Sequence, residues 1–229
     1  MTSLEAAHVD AIQLSLIVSI ASTFLVLPLA IATGWMLART EFLGKSVVEA
    51  VITMPLVLPP VVTGYFLLLL MGRNGLIGQY LWDSLGIRIT FSWHGAALAA
   101  AVVSFPLGVR AIRQAFESVN PQFDEVARTL GASKARRFFT LHLPLAKPGI
   151  VAGTLLVFAR SLGEFGATIT FVGNIPGETR TIPLAIYSTL QQPNGETESI
   201  VLVICSVAIS IAAVVISEFY LSSKRGVRR

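Results

Sequence analysis

The chain is short of cysteine, histidine and charge, and each shortage closes off a class of function. A single cysteine, Cys205, allows no internal disulfide, and its place in an apolar run makes packing its expected role. The three histidines, His8, His94 and His142, lie far apart with no Cys, Asp or Glu at ligand spacing, so no metal site is expected. The nearest thing to a phosphate-binding loop is Gly44-Lys45-Ser46, but Arg39 stands where the earlier glycine belongs and an apolar run precedes it. No catalytic residue is assigned, and any energy for work must come from another protein. Charged residues make up only 13% of the 229, against 54% hydrophobic, a balance foreign to soluble globular domains.

What remains is arranged in long runs. The windows 11–38, 50–72 and 199–217 hold no Asp, Glu, Lys or Arg, and each is long enough to cross a hydrocarbon core of about 30 Å as a helix. Residues 89–109 are uncharged but polar at the start, and 148–173 are apolar apart from Arg160 and Glu164. This predicts an all-α integral membrane protein of about five transmembrane helices. Glu5, His8 and Asp10 replace the basic lead-in of a cleaved signal peptide, so the first span is expected to stay in the membrane.

An odd number of spans puts the termini on opposite sides, and basic residues choose the direction. Placing 39–49, 110–147 and 218–229 inside gathers 13 Lys and Arg there, including Lys224, Arg225, Arg228 and Arg229, and leaves 3 outside, Arg73, Arg88 and Arg180. The expected topology has the N-terminus outside and the C-terminus inside. The net charge of +4 then follows from topology and anionic lipid, and no nucleic-acid partner is expected.

Within the spans, Pro55, Pro59, Pro60 and Gly64 interrupt the second and free backbone groups that neighbours or a water-lined cavity must satisfy. Such breaks line transport paths or serve as packing kinks. Arg160 and Glu164 stand at i and i+4, and burying either alone would be costly. They read either as a self-neutralised bridge or as a cation lent to an anion path and the carboxylate that holds it. Ala96, Ala97, Ala99, Ala100 and Ala101 permit close helix packing, between subunits or inside one.

Between two apolar segments lies the polar, basic loop 120–144. Asn120 can cap and Pro121 open a helix with Phe123, Val126, Ala127 and Leu130 on one face, and Gly131 can end it in a left-handed turn. A second short turn from Ser133 presents Lys134, Arg136 and Arg137 beside Phe138 and Phe139. On residue pattern alone this is either an amphipathic helix on the lipid interface or a docking element for a partner.

Glu125, Ala127, Gly131, Leu141, Leu143 and Pro144 fall at the spacing that resembles the cytoplasmic EAA loop of ABC importer permeases, with Val126 and Leu141 replacing the Ala and Ile of that pattern. Residues 161–171 and 177–183, with the runs 58–62, 64–65, 72–75 and 91–93, are similar to permeases of the molybdate and sulfate importers, the molybdate branch in particular, over about residues 10–220. The resemblance implies one permease domain over 1–229 in the bacterial cytoplasmic membrane, with 120–144 as its coupling loop. It implies ATPase coupling by Asp124, Glu125, Ala127, Gly131, Leu143 and Pro144, and an anion pathway touching Pro59, Pro60, Arg160, Glu164 and Arg180. The implied partners are a second permease copy as homodimer, cytoplasmic ABC ATPase subunits that hold ATP and Mg, an extracytoplasmic molybdate-binding protein and the bilayer, with no cofactor on this chain. Transport would proceed by alternating access. The short stretch after the last span leads us to expect no cytoplasmic regulatory domain. Sulfate or tungstate import is the alternative, followed by an ATPase-independent secondary anion carrier and an intramembrane enzyme.

Overall fold

The computed structural model describes residues 3–193 and 195–225, with side chains described for 6–193 and 195–216. Arg228 and Arg229, and the side chains of Lys224 and Arg225, therefore lie outside the described residues. No strand occurs among the described residues. The helices are α1 (Ser3–Arg39), α2 (Lys45–Val57), α3 (Pro60–Met71), α4 (Leu76–Leu85), α5 (Trp93–Glu117), α6 (Pro121–Thr129) and α7 (Lys134–Arg137). A π-helical turn (Phe138–His142) leads into α8 (Leu143–Leu162), followed by α9 (Gly166–Val172), α10 (Ile182–Leu190) and α11 (Gly195–Arg225).

Four stretches are long and apolar enough to cross a membrane: Ala6–Arg39, Trp93–Glu117, Lys134–Leu162 and Gly195–Ile216. A fifth exists if α2 and α3, which meet at a bend of 109°, count as one span. The single helix expected over 50–72 is thus two. Its break is local chemistry: Leu58, ahead of a proline, is extended at φ −66° and ψ 144°, and Pro59 and Pro60 have no N–H to continue the ladder. The window 148–173 also changes, since its helix begins at Leu143, stops at Leu162 and resumes as α9.

The bundle is built on α1, α5 and α8. Leu14 clusters with Ala96 and Ala97, while at the far end of the same two helices Arg39 reaches the carbonyls of Phe116 and Val119, so α1 and α5 run in the same direction. The α8 helix returns against them, with Ile150 beside Ile112 and Ala115, and Ser161 level with Ser22 and Ser104. Those serines bridge the three helices at 2.8 and 3.2 Å, side-chain pairing of the kind that holds helices together in lipid. The alanine run 96–101 is buried inside this bundle, so its small side chains are used within one subunit. By contrast α2, α3 and α11 expose Val51, Val57, Phe66, Ile204, Val207 and Val215. Helices apolar on the outside as well as the inside suit lipid.

Two ends result. One holds the start of α1, the turn from α3 to α4, α9 and α10, where Ile182 N donates to Ser15 Oγ at 2.7 Å. The other holds Arg39 and the loop 120–144.

The contact of α3 with α9 depends on Gly64. A methyl group there would lie 2.6 Å from Ala167 O and 2.9 Å from Thr170 Cβ. Because backbone is what it would strike, Gly64→Val must push the two helices apart, at an expected cost of about 2 kcal/mol. The check is the thermal unfolding midpoint in detergent, and an unchanged midpoint would show that α3 and α9 separate freely.

Candidate functional site

The loop 120–144 forms as its residues dictate. Asn120 Oδ1 accepts from Gln122 N at 2.9 Å, Pro121 occupies the first helical position of α6, and Gly131 reverses the chain at φ +77°. Ser133 Oγ then accepts from Arg136 N at 3.3 Å and starts α7. Phe123, Val126 and Leu130 are 53%, 58% and 81% exposed, so nothing among the described residues covers the apolar edge of α6. Glu125 is exposed beside them, and Ala127 is half-buried.

The opposite side of α6 is tied down by Asp124. Its Oδ2 accepts from Arg137 Nη1 at 2.5 Å, and its Oδ1 meets His142 Nε2 at 2.8 Å. His142 is buried at 3% exposure, packed edge-on against Trp35 of α1, whose ring also meets Phe138 at 5.0 Å. Arg39 Nη2 donates to Phe116 O at 2.7 Å and Val119 O at 2.8 Å, satisfying the carbonyls that end α5 just before Asn120. The loop is therefore latched to α1, α5 and α8, and its apolar edge faces away. Leu143 and Pro144 start α8 directly above the buried histidine.

Burial pushes the Asp124 carboxyl upward, but the hydrogen bonds from His142 and Arg137, with the charge of Arg137, outweigh it and hold the group below its ordinary 3.8. A carboxyl depressed in the folded state contributes stability above its unfolded value and loses it as pH falls through the folded one. Asp124→Asn is expected to cost about 2 kcal/mol. The wild-type advantage in unfolding midpoint should shrink in acid, as pH falls through the carboxylate range and the Asp124 carboxyl takes up its proton. An advantage that persisted undiminished well below the carboxylate range would refute the latch.

In the membrane portion, Glu164 is buried at 3% exposure with both oxygens used. Oε2 meets Arg160 Nη1 at 2.8 Å, and Oε1 accepts from Ala167 N at 2.9 Å, closing the first turn of α9. The Arg160 side chain keeps 30% of its exposure. Pro60 packs over Gly166, where an added methyl would come within 2.8 Å of its Cβ, and Pro59 caps α3. Pro59, Pro60, Arg160 and Glu164 thus gather around the α3–α9 junction. Arg180 stands apart in the turn between α9 and α10, its Nε donating to Asn174 Oδ1 at 2.9 Å while Asn174 Nδ2 donates to Leu184 O at 3.3 Å. Among the described residues no cluster of His, Cys, Asp and Glu could hold a metal ion.

Sequence reasoning did not find His142, Trp35 and Arg39 as anchors of the loop, nor the serine bridge. The pairs span 18 to 139 positions and have no periodicity to betray them. His142 gave one signal, a histidine among apolar neighbours.

The family model described as "Binding-protein-dependent transport system inner membrane component" matches residues 14–226. The chain is 56% identical over 210 residues to the molybdenum transport system permease protein ModB of Escherichia coli K12, covering 92% of each, and 54% identical to ModB of Haemophilus influenzae, covering 93% of each. It is 39% identical to the sulfate transport system permease protein CysT of Salmonella typhimurium, over 69% of this chain and 57% of that one. Among solved structures, its fold matches a bacterial ABC transporter involved in alginate import at a TM-score of 0.71 and 19% identity, over 96% of this chain and 80% of that one. It also matches the MetNI methionine ABC transporter in an inward-facing conformation at 0.70 and 16% identity, over 96% and 99%.

Proposed function

The chain belongs to the family of binding-protein-dependent transport system inner membrane components, and on that footing we propose that it carries molybdate across the cytoplasmic membrane as the permease subunit of an ATP-driven importer. It is a multi-pass inner membrane protein and a transport subunit, not an enzyme; ATP hydrolysis belongs to a separate subunit.

The observation that carries the mechanism is the exposed apolar edge of α6, backed by the Asp124 latch. In our reading this edge docks on a cytoplasmic ABC ATPase subunit that holds ATP and Mg. Phe123, Val126 and Leu130 fill a groove on it, Glu125 supplies a polar contact, and Ala127 and Gly131 allow the close fit and the tight exit. Closure of the ATPases displaces α6. Asp124 passes the displacement through Arg137 and His142 to the π-helical turn, and Leu143 and Pro144 lead it into α8. Two copies of the permease rock between outward-open and inward-open states, and an extracytoplasmic molybdate-binding protein delivers the anion. The basic loop is inside and the N-terminus outside, in keeping with the 13 to 3 distribution of Lys and Arg.

For the pathway, the junction of α3 and α9 supports a role for the break at Pro59 and Pro60, because irregular backbone inside a membrane is tolerated where it lines a cavity. Arg160 gives this region positive potential with Glu164 fixing its position, and Arg180 shapes the outer turn. Sulfate is the second reading, favoured by the identity to a sulfate permease over a shorter stretch.

The test is uptake of labelled molybdate by cells carrying this permease with its partner subunits, with sulfate or tungstate as competitor and an ATPase-dead partner as control. Entry that needs a working ATPase and resists excess sulfate is the expected result. Entry without the ATPase would overturn the importer reading in favour of a carrier, and strong sulfate competition would move the substrate to sulfate.

A further inference from the structure

Two arginines at the end opposite the coupling loop are used by nothing described above. Arg73 follows α3, and Arg88 lies between α4 and α5, next to Ile89, which packs with Leu14 and Ala96. The distribution of charge disfavours cations at this end, where the chain places just these two and Arg180, and Arg180 is already engaged by Asn174. Both Arg73 and Arg88 line one cavity of about 290 Å³ between α3, α4 and the start of α5. Its walls, which include Leu68, Trp82, Ile89 and Phe91, contain no carboxylate.

The guanidinium groups are held, though not neutralised. Arg73 Cζ lies 5.5 Å from the centre of the Trp82 ring and Arg88 Cζ lies 5.7 Å from that of Phe91. Neither reaches a carboxylate in an ion pair among the described residues. Stacking on an aromatic face fixes the plane of a guanidinium and leaves its N–H edge to donate. Phe91 adds an independent sign, because it holds φ +55°, a conformation costly for an aromatic residue and retained where the surroundings demand it. The ring carried on that backbone is the one that lies against Arg88.

We propose that this cavity binds a tetrahedral phosphate-type oxyanion, carried by the headgroup of an anionic phospholipid. Two preset forks suit a phosphate, and the apolar walls suit the glycerol and first methylenes of its acyl chains. Exposed Trp82 on its wall, with exposed Tyr80 on the same helix and Trp93 at the start of α5, supplies the aromatic side chains expected at a membrane surface. A bound headgroup would brace α3 against α5, close to the α3–α9 junction. The site does not depend on which anion is transported; its leaflet, the outer one, follows from the orientation proposed above.

The assembled transporter, stripped of lipid in neutral detergent, would be mixed with phosphatidylcholine containing or lacking phosphatidylglycerol, and retained lipid counted by native mass spectrometry. Wild type should retain phosphatidylglycerol about tenfold or more above the Arg73→Gln/Arg88→Gln variant, with millimolar inorganic phosphate or molybdate displacing little. Displacement by either soluble anion would keep the oxyanion site and assign it to a free anion. Equal retention by wild type and variant without such displacement would overturn the proposal. So would an equal loss in Arg110→Gln, which removes an exposed cation near the other end, or weaker capture of the extracytoplasmic binding protein with lipid retention unchanged. An unfolding midpoint matching wild type ensures that the variant is folded when lipid is counted.

Discussion

Gly131→Val is expected to reduce ATP-driven molybdate uptake about tenfold or more while leaving membrane insertion intact. At φ +77° a residue with a Cβ is strained, by about 1–2 kcal/mol for an ordinary side chain and more for a β-branched one. The space beside Gly131 is open, so the penalty is conformational and not steric. The chain can relieve it only by refolding the turn between α6 and α7, which would shift Arg137 relative to Asp124 and re-aim the exposed edge of Phe123, Val126 and Leu130. Gly131→Asn, which tolerates the left-handed region better, should be milder than Gly131→Ala, and that milder than Gly131→Val. Uptake in vesicles with the ATPase subunits, normalised to inserted permease, measures the series. A flat response, or an order that follows side-chain volume alone, would remove the turn from the coupling path.

Glu164→Ala should have the largest effect on stability. It deletes both the buried partner of Arg160 and the acceptor that closes the first turn of α9. Breaking a buried pair from one side typically costs 3–5 kcal/mol, and the exposure of Arg160 lets solvent recover part of this, so about 3 kcal/mol is expected. The double variant Arg160→Gln/Glu164→Ala should lose less than the sum of the two single changes, because it leaves no unpaired charge. Thermal unfolding of the four members of the cycle measures this, and additive losses would show that the two residues are not coupled. Uptake by Arg160→Gln, if it assembles, addresses the other role of the pair: unchanged transport would remove Arg160 from the anion path and leave it a structural bridge.

The loop 120–144 was the most legible part of the chain. Asn120, Pro121 and Gly131 act on their own neighbours, and the 3.6-residue period places Phe123, Val126 and Leu130 together whatever surrounds them. The spacing that resembles the EAA loop could be read for the same reason. The second span was legible only in part. Three prolines and a glycine announced a break, but its angle of 109° depends on the seat that α3 finds against α9, through Gly64 and Gly166. The pairing of Arg160 with Glu164 was readable from an i, i+4 spacing, whereas the bond from Glu164 to the amide of Ala167 needed the helix to stop at Leu162 and restart.

By itself, then, the sequence determined the membrane class, the order of the apolar runs, and the capped, one-faced helix of the loop 120–144. Those properties are sums over adjacent residues, and hydrocarbon thickness and helix geometry impose them on any chain of this composition. Tertiary structure alone decided that Asp124 holds His142 and Arg137, that the alanines of α5 are used inside one subunit, and that Arg73 and Arg88 border one cavity. Each of these depends on which distant side chain stands opposite, and that is settled by packing all the helices at once.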